Sequence, residues 1–334
     1  KIYEQDDIAV VIKDLFSTNL FNSIEVDIRD NTILIKLTER PIISNINIEG
    51  NKLLDEDQIV TSLKNIGISQ SKPYSRNLID KVKQELIRLY YDNGRYSSTV
   101  EVTENELDNN IIELSLDINE GDASTIKEIK ILGNKTYSTR LLKSLIKSGP
   151  KYWFEVWSDK DIYNSTFLDQ DIEAIRDYYL NRGYAKFKVV SKQVNLSPDK
   201  EDIYITLSID EGTLYKFGKT TVYGLDNFDS NIFKNIINYN LDPGSFFSRS
   251  NIETAKEAIQ FVLGEKGYAF PLVQLNVELK DDSESVDITI RVDPKKKSFV
   301  RRINIKGNTK TNDEVYRREL RQFESSIYSI NKVE

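Results

Sequence analysis

Between Phe167 and Val190 the hydrophobic pattern changes period once. Leu168, Ile172, Ile175 and Tyr179 recur at helical spacing, which predicts a helix with one apolar face. Gly183 stands where a left-handed residue ends such a helix, and Asn181 and Arg182 suit its last turn. Phe187 and Val189 then alternate with Lys186 and Lys188, which predicts a half-buried strand over Lys186 to Val194.

The same helix, stop and strand recur along the chain. An amphipathic helix carrying Ile8, Val11, Ile12, Leu15 and Phe16 ends at Asn19, and two strands (21–28 and 32–39) follow. A strand with Ile42, Ile46 and Ile48 ends at Gly50. Asp55 then opens a short helix, and Ser75 opens a longer one that stops at Gly94. A strand from Tyr96 and a return strand (111–118) close this unit at Asn119-Glu120-Gly121. The order repeats through Gly133, Gly183 and the return strand ending in Asp210-Glu211-Gly212, then through Gly224, Gly267 and Asp293-Pro294. A strand over 299–308 and one helix over about 312–322 open a last unit. The chain ends inside it, without the second helix and hairpin expected there.

The strand-ending glycines Gly50, Gly133, Gly224 and Gly307 are 83, 91 and 83 residues apart, and the helix-stopping Gly94, Gly183 and Gly267 are 89 and 84 apart. All seven read as structural. A period near 85 with β-α-α-β-β content is too long for one solenoid turn. It fits an α+β chain of tandem small domains, each a three-stranded mixed sheet covered on one face by two helices. The third unit carries six or seven extra residues between its helices. They fall in KYWFEVWSDKDIYN (151–164), which holds both tryptophans.

Composition narrows the function. Of 334 residues, 46 are Lys or Arg and 53 Asp or Glu, a net charge of −7, which argues against general nucleic-acid binding. Histidine and cysteine are absent, which removes Ser-His and Cys-His nucleophiles and the commonest metal ligand. No apolar run reaches the length of a membrane-spanning helix, and the missing signal peptide and initiator Met fit a processed or excised piece. The acid clusters Asp55-Glu56-Asp57 and Asp281-Asp282 suit helix starts and turns. The Asp169–Asp171 pair lacks the glycine and bidentate Glu of an EF-hand. No nucleotide fingerprint or nucleophile elbow occurs. The expectation is a non-enzyme with no cofactor and no metal.

The stretches ERPIISNINIEGNK (39–52), ILGNKTYST (131–139), DYYLNRGYAKF (177–187), LSPDKEDIYITLSIDEG (196–212) and VRRINIKGN with VYRRELRQFE (300–324) resemble the POTRA repeats of the BamA family of outer-membrane β-barrel assembly proteins. The resemblance covers the whole chain. It divides it into a partial first repeat (1–40, lacking its beginning), repeats over 41–121, 122–212 and 213–294, and a partial fifth over 295–334. It implies a periplasmic scaffold or chaperone arm at the outer membrane, joined in the full-length protein to a membrane barrel. Its partners would be unfolded outer-membrane proteins and lipoproteins of the BamB and BamD kind. A related transport or secretion protein, and a carbohydrate-binding or catalytic string of α+β domains, remain as alternatives.

Three candidate sites follow. The resemblance implies that an edge strand accepts a client segment as an added strand, and Phe187, Lys188, Val189, Val190 and Ser191 are the candidates. The competing reading is an edge guarded by its lysines. Tyr152, Trp153 and Trp157 form a candidate aromatic docking loop, weighed against a role in the third unit's core. Between Lys295 and Arg321 stand ten basic and three acidic residues. The resemblance places a lipoprotein contact in this last repeat, assigned to Arg317, Arg318 and Glu324. The linkers at Arg40-Pro41, Gly121-Asp122, Gly212-Thr213 and Pro294-Lys295 are expected as hinges.

Overall fold

A computed structural model describes residues 5–29, 32–151, 159–307 and 310–333. They form two compact units, one of residues 1–130, 147–170 and 193–205, the other of 131–146, 171–192 and 206–334.

The first unit opens with helix α1 (Gln5–Ser17) and an antiparallel hairpin of β1 (Phe21–Arg29) and β2 (Thr32–Glu39). Val10, Phe16, Leu20, Leu34 and Leu37 remain exposed, because a two-stranded sheet under one helix has too little cover to bury them. A full repeat follows: β3 (Ile42–Glu49), α2 (Glu56–Ile66), α3 (Ile79–Asp92), β4 (Thr99–Leu107) and β5 (Ile111–Asn119). At the start of α2 the Asp55 N–H donates to Gln58 Oε1 at 3.1 Å, half of a capping box. Before α3, Ser75 leads into a 3₁₀ turn over Arg76–Leu78 rather than capping the helix with its side chain.

The return strand is the middle of the sheet, in the order β3-β5-β4, parallel to β3 and antiparallel to β4. Ile112, Leu114, Leu116 and Ile118 point alternately from β5 onto Leu63, Val82, Leu86 and Tyr90 of the two helices, and all are buried. Burial of each such aliphatic side chain is worth about 1.5–3 kcal/mol. The third repeat has β6 (Thr125–Leu132), α4 (Thr139–Leu145), α5 (Ser165–Leu180), β7 (Lys188–Leu196) and β8 (Asp202–Asp210), with sheet order β6-β8-β7.

The second unit contains the fourth repeat, β9 (Lys216–Tyr223), α6 (Ser230–Asn240), α7 (Arg249–Glu265), β10 (Leu272–Lys280) and β11 (Ser285–Asp293), in the order β10-β11-β9. Phe217, Phe233, Ile259, Leu263, Ile288 and Ile290 fill its core. The chain ends with α8 (Asp313–Glu319) and α9 (Ile330–Val333).

The last repeat departs from expectation in three ways. No strand forms over 299–307, where Phe299 makes only an isolated bridge to Ile327. In the complete repeats the first strand bonds to the return strand, and among the described residues from 299 to 333 no return strand occurs to receive it. The helix expected to 322 stops at Glu319 and Leu320 is extended. The second helix is not wholly missing, since α9 is its first turn.

Candidate functional site

A three-stranded sheet has two edges, and these repeats treat them differently. The edge of the first strand is closed at its start by the loop between the helices. Ile43 N–H bonds to Lys72 C=O at 3.0 Å and Ser71 N–H to Ile43 C=O at 2.8 Å. Phe217 with Ser245 and Gly244, and Val300 with Ser326 and Ser325, repeat the arrangement. The other edge belongs to β4, β7 or β10, each the last strand of its sheet among the described residues. These edges have backbone groups to offer an added strand.

The proposed client residues lie on and beside one of them. β7 begins at Lys188 and runs to Leu196, two residues further on than the alternation predicts. Phe187 precedes it and is a core residue, 6% exposed and stacked on Tyr179 with ring centroids 4.4 Å apart. The period-two pattern registers its burial correctly but not its place outside the strand. Val189 and Ser191 are half-buried, while Val190 is 62% exposed. Lys188 is held 3.3 Å from Asp210 on the neighbouring strand. Tyr152, Trp153 and Trp157 lie outside the described residues.

Arg317, Arg318 and Glu324 separate into two kinds. Arg317 Nη1 donates to Glu324 Oε1 at 2.9 Å. The same pair clamps one residue of the extended segment: Ile303 N–H donates to Glu324 at 2.9 Å and Ile303 C=O accepts from Arg317 at 2.8 Å. The Ile303 amide and the Arg317 guanidinium hold the Glu324 carboxyl below the usual glutamate range. Two of the three candidates therefore organise their own repeat. Arg318, with its side chain 78% exposed and 3.4 Å from Glu319, faces solvent.

The seven glycines all have positive φ. A Cβ on Gly50, Gly133 or Gly224 would meet the carbonyl oxygen of Ile118, Ile209 or Val292 at 1.9, 2.1 and 1.9 Å, so the first strand ends against the backbone of the middle one. The helix-stopping glycines form the joints between repeats. Ser124 N–H donates to Gly94 C=O at 2.8 Å, Tyr215 to Gly183 at 2.7 Å and Ser298 to Gly267 at 2.8 Å. The linkers read as hinges at 121–122, 212–213 and 294–295 are thus each followed, two or three residues on, by a main-chain bond to the preceding helix stop.

Two devices escaped the sequence reading. Glu120 Oε1 accepts the N–H groups of Lys52 and Leu53 and the Tyr90 hydroxyl, at 2.6, 2.8 and 3.2 Å. In the third repeat Glu211 accepts from the N–H groups of Lys135 and Thr136, the Thr136 hydroxyl and the Tyr179 hydroxyl. Burial by itself raises both carboxyls, but these donors outweigh it and hold them below the usual range. Burial first, then the neighbouring carboxylate, pushes Tyr90 and Tyr179 upward. The signal was available: in the fourth repeat the tyrosine position is Leu263 and the glutamate position is Pro294, so both partners are lost together.

The second device ties the starts of α5, α7 and α9 to the repeat before, in α7 and α9 by capping their first turn directly. Asn181 Oδ1 accepts the Ser250 N–H at the start of α7 at 2.8 Å. Glu265 accepts the Asn331 N–H and the Ser329 hydroxyl at the start of α9, at 2.8 and 2.9 Å. Asn164, whose Oδ1 accepts from Phe167 N–H in α5, donates to Asn93 Oδ1 at 2.8 Å. No group of three or more metal-ligating side chains occurs among the described residues, and no helix among them is long and apolar enough to cross a membrane.

Tandem β-α-α-β-β modules, with first edges closed at their start and open hairpin edges, define a class of modular α+β repeat protein. The family model described as "POTRA: Surface antigen variable number repeat" matches residues 41–121, 124–212, 215–295 and 298–334, and the chain belongs to that family. It is 29% identical over 330 residues, 98% of its length and 41% of the relative's, to an outer membrane protein assembly factor BamA of Neisseria meningitidis serogroup B. It is 31% identical over 331 residues to the BamA of Buchnera aphidicola, covering 99% of this chain and 53% of the relative. The crystal structure of Haemophilus influenzae BamA POTRA3-5 superposes with a TM-score of 0.53 at 28% identity, covering 63% of this chain and 82% of that one. The chain spans about half the length of the curated relatives it matches.

Proposed function

We propose that this chain is the periplasmic arm of an outer-membrane protein assembly factor, a scaffold that works by binding rather than by catalysis. Its likeness to BamA proteins over nearly its whole length supports the assignment. The recurring open hairpin edge supports a mechanism. An unfolded outer-membrane protein would add an extended segment to such an edge, using main-chain hydrogen bonds that tolerate many sequences. The β7 edge around Val189, Val190 and Ser191 is one such surface. The last repeat, through the exposed Arg318 and its basic neighbours, would contact lipoprotein partners of the BamB and BamD kind, and the membrane barrel of the full-length protein would lie beyond it.

Proline at Val189 and Ser191 removes two strand N–H groups. Crosslinking of a client peptide to β7 should fall at least several-fold in the double variant, with the thermal transition showing that the repeat still folds. Undiminished crosslinking in a folded variant rejects the reading.

A further inference from the structure

We propose that the β10 edge of the fourth repeat selects extended segments with apolar residues at alternate positions, and that the β4 edge of the second repeat rejects them. The inference rests on strand addition as the mode of binding.

The two edges can be compared position by position through their middle strands. Thr99 opposes Asn119 in the second repeat and Leu272 opposes Asp293 in the fourth. Val100 therefore matches Val273, Val102 matches Leu275, Glu104 matches Val277 and Glu106 matches Leu279. The first residue of each series is buried and the second half-buried. The last two lie on the same face at the far end of the strand.

There the edges diverge. Val277 and Leu279 are 40% and 39% exposed, and they stand opposite Ile288 and Val286, each 1% exposed. They extend the sheet's apolar face out to its open edge. In β4 the same places hold two carboxylates, one of them 3.8 Å from Arg76. The other face of β10 carries Gln274, Asn276, Glu278 and Lys280, the last paired with Asp287. At the strand's start Phe261, Phe270, Pro271 and Leu272 line an open apolar hollow, with Phe270 80% exposed.

A strand added to β10 continues the β10–β11 ladder and inherits its two-sided character. Residues of one parity cover Val277 and Leu279, and those of the other parity meet the polar face. Only a segment alternating in the same sense buries apolar surface on one side and leaves its polar side chains wet on the other. The same segment on β4 would strip water from Glu104 and Glu106 without replacing it.

The test uses the whole chain and a fluorescent nine-residue peptide alternating Leu, Val or Phe with Ser or Thr, beside a peptide of the same composition with the alternation scrambled. Wild type should bind the alternating peptide at least about tenfold more tightly. Val277→Glu with Leu279→Glu should reduce that preference to within about threefold. The pair copies what the second repeat carries at these places, so folding is preserved and a melting curve verifies it. Glu104→Val with Glu106→Leu should add a second site for the alternating peptide. A preference that survives the paired glutamates overturns the proposal. If it survives them and is abolished by proline at Val189 and Ser191, selection belongs to β7 and strand addition stands. Equal binding of both peptides, insensitive to every proline, overturns strand addition itself.

Discussion

The Tyr179 hydroxyl donates to Glu211 Oε1 at 2.7 Å, tying the last turn of α5 to the end of the return strand across the third repeat. The contact is buried and its acceptor is charged, so it is of the stronger kind. Tyr179→Phe should cost about 1–3 kcal/mol in urea unfolding. Combining it with Glu211→Gln should cost less than the sum of the singles, since each removes the same bond. Additive losses would show that the two residues act separately.

Both latches give stability a pH dependence whose sign is fixed. Glu120 and Glu211 have folded carboxyls below the ordinary 4.5. Their contribution is present in full above that value and is lost as pH falls below it through the folded range. Melting temperature should hold steady from pH 7 to about 5 and then decline. In Glu120→Gln with Glu211→Gln the decline below pH 4.5 should be shallower, and an unchanged slope would count against the latches.

Gly133 and Gly244 separate two causes of glycine dependence. Their φ values are +92° and +88°, but a Cβ on Gly133 meets the Ile209 carbonyl whereas Gly244 has nothing within 4 Å. Gly244→Ala should cost only the left-handed backbone penalty, about 1–2 kcal/mol. Gly133→Ala should cost clearly more, because strand and carbonyl must also part. Equal losses in denaturant melts would show that the close approach relaxes freely.

At the joint of the third and fourth repeats, Asn181→Ala removes the acceptor for the Ser250 amide. A lost cap is worth about 0.5–2 kcal/mol. Amide exchange should accelerate at the first turn of α7 while Ile259, in the middle of that helix, stays protected. Uniform acceleration would mean that the whole repeat had been destabilised.

In the last repeat, Arg318→Glu and Glu324→Lys should behave differently. The first changes an exposed charge whose pairing with Glu319 is screened by solvent, so melting should stay within about 0.5 kcal/mol of wild type while capture of a lipoprotein partner weakens. The second also breaks the clamp on Ile303 and should lower the melting temperature. Co-purification unchanged by Arg318→Glu removes that residue from the contact.

The repeat order and the core were legible because they rest on local periodicity. Ile112 to Ile118 alternate, Val82, Leu86 and Tyr90 follow a helix, and each glycine marks a stop. The strand over 299–307 failed for the opposite reason. Its residues have the right pattern, but a strand is made by its neighbour, and periodicity cannot supply one. Arg317, Arg318 and Glu324 stand in the sequence as one candidate contact, and only the fold shows that Arg317 and Glu324 turn inward onto Ile303. Alternation makes Phe187 an edge candidate and does not reveal that its ring lies flat on Tyr179. The β10 edge required register: Val277 and Leu279 gain meaning only when matched to Glu104 and Glu106.

The main-chain bond from Ser124, Tyr215 or Ser298 to the preceding glycine places these contacts beyond the reach of most side-chain substitutions. Surface residues around a joint can drift while the attachment point persists, provided the glycine keeps its conformation and the linker its length. A single residue inserted at 213–214 would therefore be felt more sharply than many exchanges on the faces beside it. Length, more than chemistry, is what heredity has to conserve there.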